Sequence, residues 1–288
     1  MENYLLLLAA VILLAVDFII RKRYQVIAGT SMAAGFYYNM LLGATATVIF
    51  FAANAFRWES TPFSLLMAAL QAGLAILYTI IGFRIMRESV ALFTLFLMTG
   101  GMVIPYLWGL AFLSETFTVL RLIGLVVIIV AVFLARGGAK RVSPTVAVLC
   151  VIVFILNGFV SVISKVHQVS EKPIVTSMGF TILVNFFKLV FSGAAYGVIK
   201  AVRKEKVKGA PLKKTLPLVV ATTAVSGTSY VLQLNAAVKV NASVMYPMLT
   251  GGTIIFTSLM AWLCYREKPS RREALGIALC FIGTLMFL

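Results

Sequence analysis

The chain has 288 residues, of which 61% are hydrophobic and 12% are charged, and its formal net charge at pH 7 is +16. A soluble domain is about 45–50% apolar and about 25% charged, so this composition excludes an ordinary soluble domain. The positive charges form short clusters between apolar segments, and no folded basic domain carries them. Nucleic acid is therefore not an expected partner, whereas a lipid bilayer is.

Ten apolar segments follow one another along the chain. A helix that spans a bilayer needs about 20 mostly apolar residues, and most of these segments reach that length. The tenth is short, so we expect it to begin at its charged end or to lie where the bilayer is thinned. The sequence predicts an all-α integral membrane protein with ten transmembrane helices. The predicted segments are approximately Tyr4–Ile20, Met32–Phe56, Phe63–Ile85, Val90–Leu113, Val119–Leu134, Thr145–Ile163, Val175–Ile199, Leu216–Ala236, Ala242–Tyr265 and Arg271–Leu288.

The two halves of the chain resemble each other. Residues 230–276 repeat residues 78–124, so that Tyr78 corresponds to Tyr230 and Glu115 to Glu267, and Asn39 corresponds to Asn185 in an earlier helix pair. We predict a first five-helix repeat over residues 1–135, a connecting cytoplasmic loop over 136–143 and a second repeat over 144–288. Because each half has an odd number of helices, the second is expected to be inverted relative to the first, as in many secondary transporters.

A family resemblance rests on three features of these halves. They are the two sets of five helices, a Pro- and Gly-containing fourth helix in each, and the spacing Glu115…Gly124, repeated as Glu267…Gly276. Together they resemble the drug/metabolite transporter superfamily, in particular its ten-helix EamA-type members. The resemblance covers the whole chain and implies a carrier of small metabolites or drugs that works by alternating access. The chain departs from the family's usual pattern at Asp17, where members often have a Trp-Gly pair, and in its most basic connection, Lys200–Lys214.

Most Lys and Arg residues lie in the odd-numbered connections between the predicted helices. By the positive-inside rule these connections are cytoplasmic, which puts both termini outside a plasma membrane that the chain crosses many times. Arg21–Arg23 follow the first apolar segment instead of preceding it, so we expect no cleavable signal peptide. The even-numbered connections are assigned fewer cations, namely Arg57, Arg121, Lys165, Lys172 and Lys239.

A polar stripe runs along the seventh predicted helix. Thr181, Asn185 and Lys188 share one helical face, and a lysine near the centre of a spanning helix costs about 2.5–3.5 kcal/mol on insertion scales. One interpretation is a cavity wall on which Lys188 meets an anionic group of a substrate. The other is a structural ion pair or backbone contact that locks two helices together.

Further polar residues inside the apolar segments complete the predicted substrate cavity near the membrane midplane. The repeat-equivalent Tyr78 and Tyr230 are expected near the pseudo-symmetric centre, although a membrane-interface position is the alternative. Interhelical hydrogen bonds and close helix packing are the alternatives for the others. The predicted cavity residues are Lys188, Asn185, Thr181, Tyr78, Tyr230, Gln71, Gln233, Asn157, Ser161 and Asn39.

Asp17 is the only carboxylate well inside an apolar segment. It could couple transport to protons, or it could form an ion pair with Lys188 or with Arg21, which follows at the i+4 spacing of helical ion pairs. His167, at the end of the sixth predicted helix, is expected to be solvated.

The fourth and ninth predicted helices are candidates for moving elements. Each contains a proline, which removes a backbone donor and kinks a helix. Pro105 and Gly101 lie on one face of the fourth helix, and Pro247 and Gly251 lie on one face of the ninth. We predict that these positions act as helix hinges.

These features predict a secondary, non-ATP transporter of a small polar or amphipathic metabolite. The alternatives are a lipid or lipid-carrier flippase of the same fold, or a multidrug exporter. The sequence has no catalytic motif of an intramembrane enzyme, so no enzyme is predicted. No metal or cofactor is expected, because Cys150, Cys264 and Cys280 match no ligand spacing. A small-molecule substrate and a monomer or homodimer are expected.

Overall fold

The computed structural model describes residues 2–29, 31–88, 90–136, 143–203, 212–265 and 270–287. These residues form ten α-helices, as the sequence predicts. The helices are α1 (Glu2–Ala28), α2 (Met32–Ala53), α3 (Pro62–Glu88), α4 (Val90–Phe112), α5 (Val119–Arg136), α6 (Pro144–Gln168), α7 (Ser177–Arg203), α8 (Leu212–Ala237), α9 (Ala242–Tyr265) and α10 (Arg271–Leu285).

Eight helices within the described ranges are long and apolar enough to cross a membrane, which makes the chain a multi-pass membrane protein. The two others are α5 and α10, with 18 and 15 residues. At 1.5 Å per residue α10 is about 22 Å long, shorter than a hydrocarbon core of about 30 Å. The shorter helices α5 and α10 pack against each other.

Helix α1 is longer than predicted and continues through Arg21–Arg23 to Ala28. The prediction that these cations form a connection was wrong. Lys and Arg have good helix propensity, so the charge cluster continues the helix instead of ending it.

Two predicted helix starts have the expected caps. The Ser143 hydroxyl accepts a hydrogen bond from the backbone N–H of Val146 (3.4 Å), one turn into α6, and Pro144 follows the cap directly. Ser270 and Glu273 form the predicted capping box of α10, in which each side chain accepts from the other residue's backbone N–H. These bonds satisfy N–H groups that the first helical turn leaves without partners.

The most extensive helix contacts join one half of the chain to the other. If α1–α5 correspond in order to α6–α10, the α1–α8 contact has its counterpart in α6–α3, and the α1–α9 contact in α6–α4. The pairs α2–α7, α4–α9 and α5–α10 join corresponding helices. This is the pattern that two repeats related by a two-fold axis would give, and it places the core between the halves instead of within each.

Glycine allows the closest of these contacts. A Cβ atom at Gly43 of α2 would lie 2.7 Å from the backbone nitrogen of Leu189 in α7. A Cβ atom at Gly100 of α4 would overlap the backbone of Phe154 in α6. Small residues of this kind let membrane helices approach closely and gain packing energy that the hydrophobic effect does not supply there.

Candidate substrate-binding cavity

A cavity of about 160 Å³ lies between α3, α6, α8 and α9. It includes four of the predicted cavity residues and adds Ser164 and Tyr246. Tyr246 lies in the second turn of α9 and Ser164 in the second-last turn of α6, so the cavity is nearer one end of the bundle. Its lining residues are Gln71, Val160, Ser161, Ser164, Tyr230, Gln233, Leu234, Ala237, Met245 and Tyr246.

One chain of hydrogen bonds crosses this cavity from α3 to α6. The Gln71 amide Nε2 donates to the Tyr230 hydroxyl (2.7 Å), and that hydroxyl is 3.0 Å from the Ser164 Oγ. Ser164 in turn donates to the backbone carbonyl of Val160 (3.3 Å). A carbonyl oxygen can only accept, so the Ser164 proton points at Val160, the Tyr230 proton at Ser164, and an N–H of Gln71 at Tyr230.

This direction leaves the Gln71 Oε1 atom as an acceptor without a donor. Gln71 is 5% exposed, and its Oε1 is buried with no hydrogen-bond partner among the described residues. A buried polar atom without a partner costs about 1–3 kcal/mol. The hydrogen-bond chain therefore begins at a glutamine whose buried oxygen is unsatisfied.

Two other polar wall residues, Tyr246 and Gln233, bond to neighbouring groups. The Tyr246 hydroxyl donates to the backbone carbonyl of Ser161 (2.6 Å). The Gln233 Nε2 donates to the Ser229 hydroxyl (3.1 Å), which donates to the carbonyl of Ala10 in α1 (2.7 Å). These bonds hold α6, α8 and α9 in one arrangement around the cavity.

Lys165, at the end of α6, stabilises the wall that Ala237 provides. Its side chain is 4% exposed, and its Nζ donates to the carbonyls of Ala237 (2.6 Å) and Val240 (2.7 Å). Ala237 is the last residue of α8, so its carbonyl has no partner within the helix, and Val240 lies in the α8–α9 connection. The positive charge also complements the α8 dipole. The sequence analysis placed Lys165 in a connection and missed this role, although it directly follows Ser164, which lines the cavity.

Glu115 has the complementary role at the start of α9. Its carboxylate accepts from the backbone N–H groups of Ala242 (2.6 Å) and Ser243 (2.8 Å). Gly109 leaves the space for this carboxylate, since a Cβ atom there would lie 2.5 Å from the Glu115 Oε2. Glu115 thus holds the start of a helix in the other half of the chain. Its repeat-equivalent Glu267 lies outside the described residues.

A second polar group, made of charged residues, consists of Asp17 and Arg21 of α1 with Lys188 of α7. The Arg21 Nε donates to the Asp17 Oδ2 (2.6 Å) in an i,i+4 ion pair, and Asp17 is 3% exposed. Lys188 interacts electrostatically with both of these residues, and Tyr78 interacts with Arg21. Neither Lys188 nor Tyr78 lines the 160 Å³ cavity, so the structure separates the predicted site residues into a neutral group and a charged group.

The comparisons with known proteins agree with this architecture. A family model described as "EamA-like transporter family" matches residues 144–288, half of the chain. The chain belongs to the EamA-like transporter family. This confirms the resemblance on which the sequence analysis relied, and it makes the protein a membrane transporter of the drug/metabolite transporter type.

The fold of this EamA-like transporter is also found among solved structures. One chain, described only as "Crystal structure of protein", matches with a TM-score of 0.75 and 13% identity, over 99% of this chain and 96% of the other. At that identity the match shows the fold alone. No curated protein sequence matches the transporter significantly.

Other predicted cavity residues of the transporter bond elsewhere. Asn157 donates to the carbonyl of Leu97 in α4 (2.7 Å). Asn185 donates to the carbonyl of Thr181 (2.8 Å) within its own helix, and Thr181 donates to that of Ser177 in the same way (2.8 Å). Asn39 is half-buried on α2. None of these residues lines the cavity between α3, α6, α8 and α9.

The predicted hinge prolines lie within helices that contact each other. Pro105 is inside α4 and Pro247 is inside α9, and α4 packs against α9. A Cβ atom at Gly101 would lie 2.7 Å from the Asn157 Nδ2, so this glycine leaves space for an asparagine of α6. Gly251 similarly faces Thr284 of α10. Their role as hinges stays a prediction.

The expectation that His167 is solvated was wrong. The side chain is completely buried, with its Nε2 2.9 Å from the Ser64 Oγ and its Nδ1 3.1 Å from the Gln168 Nε2. Its ring is stacked on Phe180, with centroids 3.7 Å apart, and lies parallel to Phe63 on the other side. The His167 imidazole therefore contacts two aromatic rings and two polar partners instead of the water that surrounds a histidine in an exposed loop.

Glu59, in the connection between α2 and α3, fixes the start of α7. Its carboxylate accepts from the backbone N–H of Thr176 (2.7 Å) and from the Thr176 hydroxyl (2.9 Å), and Asn54 donates to it as well (3.1 Å). Burial raises the pKa of Glu59, but these hydrogen bonds outweigh burial, so its pKa lies below the ordinary value. The carboxylate form is therefore the one that holds α7 at neutral pH.

Proposed function

We propose that this EamA-like transporter is a secondary, non-ATP carrier that moves a small polar or amphipathic metabolite by alternating access between its two halves. The observation that carries the proposal is the polar cavity between α3 of the first half and α6, α8 and α9 of the second. The sequence has no phosphate-binding P-loop, so transport would draw on a gradient. A catalytic role, a cofactor and a metal have no place in this proposal.

The contacts between the halves support such a mechanism. Because the core lies between corresponding helices, a change in how the halves pack would change access to the cavity from either end. The proline-containing helices α4 and α9 contact each other, and α9 forms part of the cavity wall. The carrier is proposed to act as a monomer or homodimer.

The size of the cavity favours a metabolite over the alternatives. Pockets for drug-sized ligands have volumes of about 300–1,000 Å³, whereas this cavity has about 160 Å³. A multidrug exporter or a lipid flippase would need to hold a larger molecule. The proposed substrate is accordingly small.

A blocking variant tests the proposal. Val160 lines the cavity from α6, whereas Val148 of the same helix is 60% exposed. We expect Val160→Phe to abolish counterflow of a solute that the wild type carries in proteoliposomes, because the ring would occupy the cavity, and Val148→Phe to leave it within about twofold. Size-exclusion profiles of both variants check folding. Normal counterflow in a folded Val160→Phe protein, or no counterflow of any solute by the wild type, would contradict the proposal.

The proposed orientation follows the charge distribution, with the protein in the plasma membrane, the odd-numbered connections cytoplasmic and both termini outside. Glu171, between α6 and α7, and Lys200, near the end of α7, are both exposed and are expected on opposite sides. In a Cys264→Ser background, an impermeant maleimide should label Glu171→Cys in intact cells and Lys200→Cys only after permeabilisation. The opposite labelling pattern would reverse the orientation.

A further inference from the structure

We propose that Arg21, Tyr78 and Lys188 form a second binding site of the transporter, which takes the carboxylate group of a small organic anion. These residues come from α1, α3 and α7. The site is separate from the cavity between α3, α6, α8 and α9, whose lining residues are all neutral. The proposal therefore goes beyond the proposed function and does not depend on what that cavity carries.

Lys188 points toward the interior of the helix bundle. Phe186 and Val190 are 36% and 46% exposed, so they mark the outer face of α7 on either side of Lys188. An α-helix turns by about 100° per residue, which places Lys188 on the side of the helix opposite to these two residues. Lys188 is partly exposed, and on this face the exposure is to a space inside the bundle instead of to lipid.

The charged residues of α1 face Lys188 across a space between helices. Helix α1 packs mainly against α8 and α9, and α7 packs mainly against α2 and α3. The pair α1–α7 is not among the helix pairs with extensive contact in the described ranges. Lys188 nevertheless interacts electrostatically with Asp17 and Arg21, so these side chains approach each other where their helices do not pack. A solute group that enters this space meets both cations.

The charge of these residues is unbalanced by one unit. The Arg21 Nε donates to the Asp17 Oδ2 (2.6 Å), which pairs one cation with the one acid. The Lys188 ammonium has neither a hydrogen bond nor an ion pair with any residue that the structure describes. A charge inside a membrane protein needs a partner or water. A carboxylate supplies the one negative charge that is missing, whereas a phosphate monoester carries about −1.5 to −2 at pH 7.

Arg21 and Tyr78 supply further hydrogen-bond donors. The Arg21 side chain is 35% exposed, and its guanidinium has five N–H groups, of which Asp17 takes the one on Nε. The two terminal nitrogens form a planar fork that fits both oxygens of a carboxylate. Tyr78 interacts electrostatically with Arg21, so its hydroxyl can donate to the same group. Tyr38 also lies near Arg21, but its hydroxyl already donates to Thr222 (3.3 Å).

Acetate, acetamide and methyl phosphate test the proposal. Acetate and acetamide have nearly the same shape and differ in charge, and methyl phosphate provides an anion of higher charge. Binding to the full-length protein in phosphatidylcholine nanodiscs is measured by saturation-transfer NMR at constant ionic strength, with empty nanodiscs as the control for lipid. We expect acetate to bind about tenfold more tightly than acetamide, because hydrogen bonds to a charged group are stronger than neutral ones. Acetate should also bind more tightly than methyl phosphate.

Variants of Lys188 identify the site. Lys188→Met removes the ammonium at similar length and should weaken acetate binding by about tenfold or more, while acetamide binding stays unchanged. Lys188→Arg retains the positive charge and should keep acetate binding within about threefold. Lys200→Met is the matched control, since it makes the same change at an exposed position of α7. It should change neither affinity by more than about twofold.

Any of four results would overturn the proposal: equal binding of acetate and acetamide, tighter binding of methyl phosphate, an equal loss in the Met and Arg variants, or unchanged acetate binding in a Lys188→Met protein with a normal size-exclusion profile. These measurements need no transport, so the proposed carrier function can stand if they fail. If acetate binds as expected and Val160→Phe still carries its solute, the carboxylate site stands and the proposed role of the neutral cavity fails instead.

Discussion

Lys165→Met is expected to lower the free energy of unfolding of the transporter by about 2–4 kcal/mol. Methionine has a similar length and apolar character, so the variant removes the ammonium with little change of volume. It leaves the carbonyls of Ala237 and Val240 buried without their present donor. It also removes the positive charge that interacts with Glu115 at the start of α9, so the ends of both helices lose stabilisation together.

Thermal unfolding in detergent measures this effect. A loss of about 3 kcal/mol corresponds to a decrease of very roughly 6–12 °C in the unfolding midpoint, by analogy with soluble domains. The matched control is Lys239→Met. Lys239 lies next to Val240 in the α8–α9 connection and has an exposed side chain. The unfolding midpoint of this variant should change by about 1 °C or less. If the two variants unfold at the same temperature, the contacts of Lys165 do not stabilise the fold.

Asp17→Asn is expected to lower the free energy of unfolding by a similar amount, because it removes a negative charge. Asp17 is buried, pairs with the partly exposed Arg21 and interacts electrostatically with Lys188. Removing one partner of a fully buried ion pair typically costs about 3–5 kcal/mol, and the partial exposure of Arg21 reduces the expected loss here to about 2–3 kcal/mol. Here two cations would remain near each other inside the membrane.

A double-mutant cycle separates this cause from a simple loss of packing. Lys188→Met in the Asp17→Asn background restores the original net charge of these residues and should recover about half of the lost stability. Lys188→Met alone should be neutral or stabilising. Glu171→Gln, an exposed carboxylate on the α6–α7 connection, is the control for the loss of an acid. The absence of any recovery in the double variant would show that Lys188 and Asp17 are not coupled.

The sequence predicted the fold well because each helix depends on local information. Segment length and apolarity fix where a spanning helix can lie, and the caps at Ser143 and Ser270 fix where two of them begin. The largest boundary error was α1, which continues through Arg21–Arg23. A charge run is a signal about topology, and it carries little information about where a helix ends.

The cavity was predicted only in part, because it depends on which helices meet. Gln71, Tyr230, Gln233 and Ser161 were predicted as polar residues inside apolar segments, and they do line one cavity. Lys188 gave the strongest sequence signal but lies with Arg21 and Asp17 instead. Spacing along one helix shows which residues share a face. It does not show which neighbouring helix that face contacts.

Glu59 and Glu115 belong to the first half of the chain, yet they hold the starts of α7 and α9 in the second. Any rearrangement that separates the halves at this end of the bundle must release both carboxylates. A helix N-cap interaction contributes about 1 kcal/mol, so losing two disfavours the separated state by roughly thirtyfold in population. The two capping residues thus set an equilibrium constant between conformations, and a substrate would have to repay that difference by binding more tightly to the separated state.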